Sequence, residues 1–221
     1  MSFNLVNTKD IEQISDFVAG SINRELEKGS RVLWFATGGS SIKIESRIAQ
    51  KIHKDFKGEL VITLTDERFG NLNHPDSNWF QLKESGFDIL NAEFIPFLTG
   101  RNFRETVEEI RIRIKDEVYK ANYKIGMFGL GIDGHIAGIL PRSDAVNSQE
   151  LICAYDTPQY DRITITPHVI SMLDEAIMCA LGDMKWPMIE KFEEDWPIDE
   201  VPSQILKSVP LLTIFSDYRA G

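Results

Sequence analysis

Asp133 and His135 stand two residues apart at the end of an apolar run that breaks into alternating glycines, Gly129-Leu130-Gly131-Ile132-Asp133-Gly134-His135. Imidazole beside a carboxylate suits proton transfer near neutrality, because histidine is the side chain whose ordinary titration falls there. Glycines at 129, 131 and 134 let the backbone turn sharply and approach a ligand closely. A second set suits an anion. Gly38-Gly39-Ser40-Ser41 lies between an apolar run and a helical pattern, so the turn offers amide donors and the helix start adds partial positive charge. Asp66-Glu67-Arg68 and Gly182-Asp183-Met184-Lys185 each follow an apolar run as well. Each motif alone has a plainer account: a glycine turn with a solvated Asp and a half-buried His, a serine that only caps a helix, charges left in water after a strand.

The elements that must hold these residues are legible in the hydrophobic pattern. Runs at 31–36, 59–65, 176–181 and 209–215, with the one entering Gly129, are continuously apolar, as strands buried on both faces are. Between them lie helical spacings: Ile11, Ile14, Val18 and Ile22; Ile42, Ile44 and Ile48; and Phe103, Val107, Ile110, Ile114 and Val118. Shorter helices are expected after Pro75, over 167–173, and after Lys185 with Pro187 in the first turn. Residues 151–155 and 162–166 read as strands, and Pro96 keeps 92–97 from being a regular central one. Strands alternating with helices indicate a mainly parallel sheet covered on both faces. There is no repeat or linker, so one domain over residues 1–221 is expected. In such sheets ligands sit beyond the carboxyl ends of the strands, which places residues 38–41, 66–68, 133–135 and Lys185 on one rim.

Composition narrows the partners. The net charge of −10 over 221 residues disfavours nucleic acid and anionic membranes, which need a cationic surface. A small anion gathered by a few focused basic groups is compatible with it. Cys153 and Cys179 both sit in apolar runs, as small buried hydrophobes in a reducing compartment. No secretory pattern opens the chain and no apolar stretch reaches the ~20 residues of a membrane span, so a cytoplasmic location is expected. Asp133 and His135 lack a third ligand at metal-binding spacing, so neither metal nor cofactor is implied. No Gly-x-Ser-x-Gly elbow supports a serine nucleophile.

Taken in order, Thr37-Gly38-Gly39-Ser40, Asp66-Glu67-Arg68 with Asp76-Ser77-Asn78, the Gly129 to His135 block, Arg162-Ile163-Thr164-Ile165-Thr166 and Gly182-Asp183-Met184-Lys185 resemble the 6-phosphogluconolactonase and glucosamine-6-phosphate isomerase/deaminase superfamily. The resemblance runs from about residue 31 to the carboxyl terminus, where Val201-Pro202-Ser203 and Asp217 also fit. It implies an α/β fold, a three-layer, mainly parallel Rossmann-like sheet with helices on both faces. It also implies hydrolysis of a 6-phosphorylated sugar lactone by a monomer or small homo-oligomer. His135 would be the general base, with Asp133 or Asp66 orienting the imidazole or the sugar hydroxyls. Gly38, Gly39, Ser40, Ser41, Arg68 and Lys185 would hold the phosphate, helped by Arg162. The deaminase branch has a glutamate five residues after the histidine, and Leu140 stands at that position here. Leucine cannot shuttle a proton, which favours the lactonase branch. The turn departs from the lactonase Gly-Gly-Ser-Thr-Pro by reading Gly39-Ser40-Ser41-Ile42, and His168 replaces an apolar residue. An isomerase/deaminase with another base, and a non-catalytic sugar-phosphate binder, are the two alternatives.

Overall fold

The computed structural model describes residues 3–218. In chain order the elements are β1 (Asn4–Asn7), α1 (Ile11–Glu27), β2 (Arg31–Ala36), α2 (Ile42–Lys51), β3 (Glu59–Leu64), β4 (Asp66–Arg68), α3 (Asn78–Glu84), β5 (Glu93–Ile95), α4 (Phe103–Lys120) and β6 (Tyr123–Gly129). There follow β7 (Ile152–Asp156), β8 (Asp161–Ile165), α5 (Pro167–Ile170), β9 (Glu175–Ala180), α6 (Trp186–Glu193) and β10 (Leu211–Ser216). Single 3-10 turns lie at Gly39–Ser41 and Asp183–Lys185, and a longer 3-10 stretch at Pro202–Ser208.

Seven strands form one sheet in the order β1-β10-β9-β6-β2-β3-β5, every pair parallel. From Val32 to Ala36, β2 is wholly inaccessible, as its unbroken apolar run requires of a central strand. The chain steps from β2 outward through β3 to β5, then returns to place β6 on the other side of β2. Right-handed crossovers therefore put α1, α2 and α3 on one face and α4 and α6 on the other. Each helix is set by its own sequence. In α1, Asp10 caps the first turn by accepting from the Glu12 amide at 2.9 Å, and Ile14, Val18, Ile22 and Leu26 form a buried stripe. In α4, Asn102 caps through the Glu105 amide at 3.0 Å, and Ile110, Ile114 and Val118 face inward.

Four features differ from the sequence reading. Asp66–Arg68 is itself a strand, β4, in a separate three-stranded antiparallel sheet ordered β4-β8-β7. The runs at 151–155 and 162–166 belong to that small sheet and not to the parallel one, because the four-residue connection 157–160 permits only antiparallel pairing. Asn4–Asn7 forms β1 on the outer edge of β10. Its four residues are too short and polar to show a pattern, and only the partner strand makes them extended. The helix expected over 167–173 closes at Ile170.

Candidate active site

The strand order reverses between β2 and β6, so the loops leaving their carboxyl ends diverge and open a crevice. After β2, Thr37 and Gly38 lead into the Gly39–Ser41 turn and directly into α2. Gly39 adopts φ +63°, a left-handed conformation suited to glycine. Gly38 is needed for another reason, since a Cβ there would lie 2.1 Å from Asn78 Oδ1. Thr37, Gly38, Gly39 and Ser40 line the cleft. Ser41 is 2 % exposed and lies behind it, on the Gly129 side.

The opposite wall is the loop after β6. Gly131 donates its amide to the His135 carbonyl at 2.8 Å, and Gly134 donates to Gly131 at 3.1 Å, closing a tight turn that brings His135 back to the cleft. A Cβ at Gly131 would stand 2.2 Å from His135 Nδ1, so the imidazole occupies the space that a side chain there would take. Asp133 Oδ1 accepts from the His135 amide at 3.1 Å and lies 2.6 Å from Nδ1. That hydrogen bond, ahead of an opposing burial effect, lowers the Asp133 carboxyl to about 2. The ionised carboxylate requires a proton on Nδ1, which leaves the Nε2 lone pair as the basic site of neutral His135. Asp66 makes a different set of contacts.

The small sheet supplies the floor. Register pairs Arg68 with Arg162 across β4 and β8, and Arg162 Nη1 reaches Asp66 Oδ2 at 3.2 Å. Burial raises the Asp66 pKa, opposed by the charges of Arg162, Arg68 and His135. Arg68 donates from Nη1 to the Asp76 carbonyl at 3.0 Å and lies 5.7 Å from the Tyr160 ring centroid. The Nε atoms of both arginines are buried without a protein acceptor. Buried donors are ordinarily satisfied, so two unused guanidinium N–H groups beside a cleft are suited to an anionic ligand. Lys185, on the turn after β9, places Nζ 3.3 Å from Ser40 Oγ. It supports the glycine turn from the rim without lining the cleft, and burial lowers its pKa. Asp217 fixes that rim by accepting from Gly182 N at 2.9 Å and Trp186 Nε1 at 3.1 Å.

Gly38, Gly39, Ser40, Asp66, Arg68, His135 and Arg162 therefore meet around one cleft. Asp133 sits behind His135, while Ser41 and Lys185 stand just outside. Three polar residues of the site carried no role in the sequence reading. Asn78 lines the cleft; its Nδ2 donates to the Asp66 carbonyl at 2.9 Å, and its Oδ1 is buried without a donor. Glu67 is wholly buried and accepts from the amides of Arg68 and Asn78 at 2.7 Å, Trp79 at 3.0 Å and Ser77 Oγ at 2.8 Å. It ties the start of α3 to β4. Glu45 is wholly buried behind the glycine turn. A sequence signal for it exists: Glu45 falls on the same helical face as Ile48, where the pattern calls for an apolar residue. His74 and His168 lie elsewhere, His74 Nε2 at 3.0 Å from the Arg68 carbonyl and His168 exposed, 3.1 Å from the Gln149 carbonyl.

The family model for glucosamine-6-phosphate isomerases/6-phosphogluconolactonase matches residues 7–212. A 6-phosphogluconolactonase of Helicobacter pylori is 25 % identical over 96 % of this chain and 95 % of its own. A glucosamine-6-phosphate deaminase of Oenococcus oeni is 24 % identical over 89 % of this chain and 88 % of its own. Among solved structures, a 6-phosphogluconolactonase from Shewanella baltica superposes with a TM-score of 0.81 at 17 % identity, covering 97 % of this chain and 98 % of that one.

Proposed function

The chain belongs to the glucosamine-6-phosphate isomerase/6-phosphogluconolactonase family, and from that membership we propose that it hydrolyses a 6-phosphorylated sugar lactone, 6-phosphogluconolactone, to the open acid. The observation that carries this reading is the position of His135. Its Nδ1 is held by Asp133 at 2.6 Å, its other nitrogen is unused, and it shares a cleft with two arginines that have spare donors.

The phosphate dianion is taken by Arg68, Arg162 and the backbone amides of residues 38–40, with Lys185 adding charge from the rim. A helix start, guanidinium forks and an ammonium suit such a ligand. This concentration of positive groups opposes the overall charge of −10 at the point where the ligand binds. His135 Nε2 removes a proton from water as the water oxygen bonds to the lactone carbonyl carbon. The resulting tetrahedral oxyanion collapses, the bond from that carbon to the ring oxygen breaks, and the ring oxygen takes the proton back from Nε2. Asp133 stays ionised throughout and stabilises the transient imidazolium. Asn78 Oδ1, an acceptor with no donor of its own, suits a sugar hydroxyl.

The test is lactone hydrolysis corrected for spontaneous opening. His135→Ala should lower the catalysed rate roughly 10²-fold or more, as loss of a general base does. Equal rates would remove His135 from the chemistry. The deaminase relative favours a second reading, against which stands Leu140 in place of the expected glutamate. Release of ammonia from glucosamine 6-phosphate would establish that reading in place of the first.

A further inference from the structure

Directly behind the anion-binding turn lies a carboxyl group that the proposed chemistry does not use. Glu45 projects from α2 into the core with no solvent exposure, and its Oε1 accepts the Thr37 amide at 2.6 Å. Thr37 lines the cleft, so the carboxyl is bonded to the peptide from which the turn begins. Oε2 is buried with no partner at all. A carboxylate is poorly housed there, since a buried charge needs a counter-charge or several donors, and Glu45 has one amide.

We infer that Glu45 is a positioning residue that makes anion binding pH-sensitive: as a neutral acid it anchors the turn at Thr37, and once ionised it repels the anion held on the turn's other side. This rests on the reading of the cleft as a phosphate site. The surroundings supply no cation to hold the charge. From β9 the Cys179 thiol faces Glu45, itself pushed up to about 12 by burial and so neutral over the working range. Lys185, on the following turn, is bonded to Ser40 at the rim, and its charge acts on Cys179. On α1, Glu12 and Asp16 pair outward with Arg47 and Lys51 on the solvent side of α2. Lys83 and Glu84 of α3 are exposed. Burial accordingly raises the Glu45 carboxyl to about 8.

The sign of the effect on folding follows. The unfolded chain releases this proton near the ordinary glutamate range, whereas the folded chain holds it to about 8. Stability is therefore greatest below the unfolded value and falls as pH rises between the two. Glu45→Gln keeps an oxygen acceptor for Thr37 and removes the titration. The melting temperature of Glu45→Gln minus that of the wild type should widen by roughly 5 °C from pH 5 to pH 9. A flat difference would show that Glu45 holds no such proton and would overturn the inference.

The second measurement is calorimetric binding of sulfate, whose charge is constant from pH 6.5 to 9.5, and of 6-phosphogluconate. Wild-type affinity for sulfate should fall about ten-fold more over that range than the affinity of Glu45→Gln. Any loss from deprotonation of Lys185 is common to both proteins and cancels. Glu45→Gln following the wild-type profile, or no sulfate binding in either protein, would overturn the inference. If sulfate shows the expected profile and 6-phosphogluconate does not bind, the inference stands and the lactonase reading falls.

Discussion

At the scale of single residues, the orientation of one imidazole ring is the deciding feature. Asp133 meets Nδ1 at 2.6 Å, and Gly131 has no side chain because the ring fills its place. A carboxylate accepts only, so it specifies which nitrogen carries the proton. An amide at that position can present its NH2 group instead and favour the other tautomer. Asp133→Asn should accordingly lower kcat for lactone hydrolysis by roughly 10²-fold or more while leaving KM within about three-fold, the signature of an interaction needed in the transition state. A rise in KM with unchanged kcat would place Asp133 in substrate binding and not behind the histidine.

At the scale of elements, the cleft depends on how β4 is joined to α3. Glu67 gathers four donors, the backbone amides of Asn78 and Trp79 and the Ser77 hydroxyl at the helix start and the Arg68 amide of its own strand, and α3 is only seven residues long. So short a helix is not self-supporting, and its position comes from these bonds and from Leu82 beneath it. Glu67→Ala would leave several buried donors without an acceptor. The expected loss is about 3 kcal/mol, read as a lowered midpoint in urea at unchanged slope. Because Asn78 and Arg68 are both bonded to Glu67, KM for the phosphorylated substrate should rise in the same variant even where it is fully folded. A variant with wild-type stability and KM would show that the helix start is held by other contacts.

At the scale of the whole molecule, the sheet is closed on one side by β1, four residues paired to β10 through Asn4 to Asn7. Without it, β10 would present an unpaired edge with Leu211 already exposed at its start. Removing the first seven residues should lower the melting temperature by several degrees and raise concentration-dependent light scattering on heating, with activity of the folded fraction retained. The cleft lies at the β2–β6 junction, three strands away from β1, which separates stability from chemistry here. Loss of activity in fully folded protein would contradict that separation. Among the described residues no helix is long and apolar enough to cross a membrane, and no three His, Cys, Asp or Glu side chains gather as a cation site.

What the sequence determined by itself follows from local rules. Short continuous apolar runs such as 31–36, bounded by turn residues, read as buried strands, and strand ends carry the loops, so a shared rim for residues 38–41, 66–68, 133–135 and Lys185 is legible in the sequence, although Ser41 and Lys185 stand just outside the cleft and Asp133 sits behind His135. Tertiary structure alone decided the rest. Whether Asp133 or Asp66 contacts the imidazole depends on side-chain directions across a two-residue turn, and Asp66 proves to be engaged by Arg162 from the neighbouring strand of a second, smaller sheet. That second sheet was hidden because β4 is three residues long and owes its form to β8, 96 positions away at the Asp66–Arg162 pair. Glu67 looks like a surface charge in a linear chain, and the place of Glu45 on an apolar helix face hints at burial without saying what it touches. Only packing shows them buried, since burial is set by what arrives from distant segments and not by the residue itself.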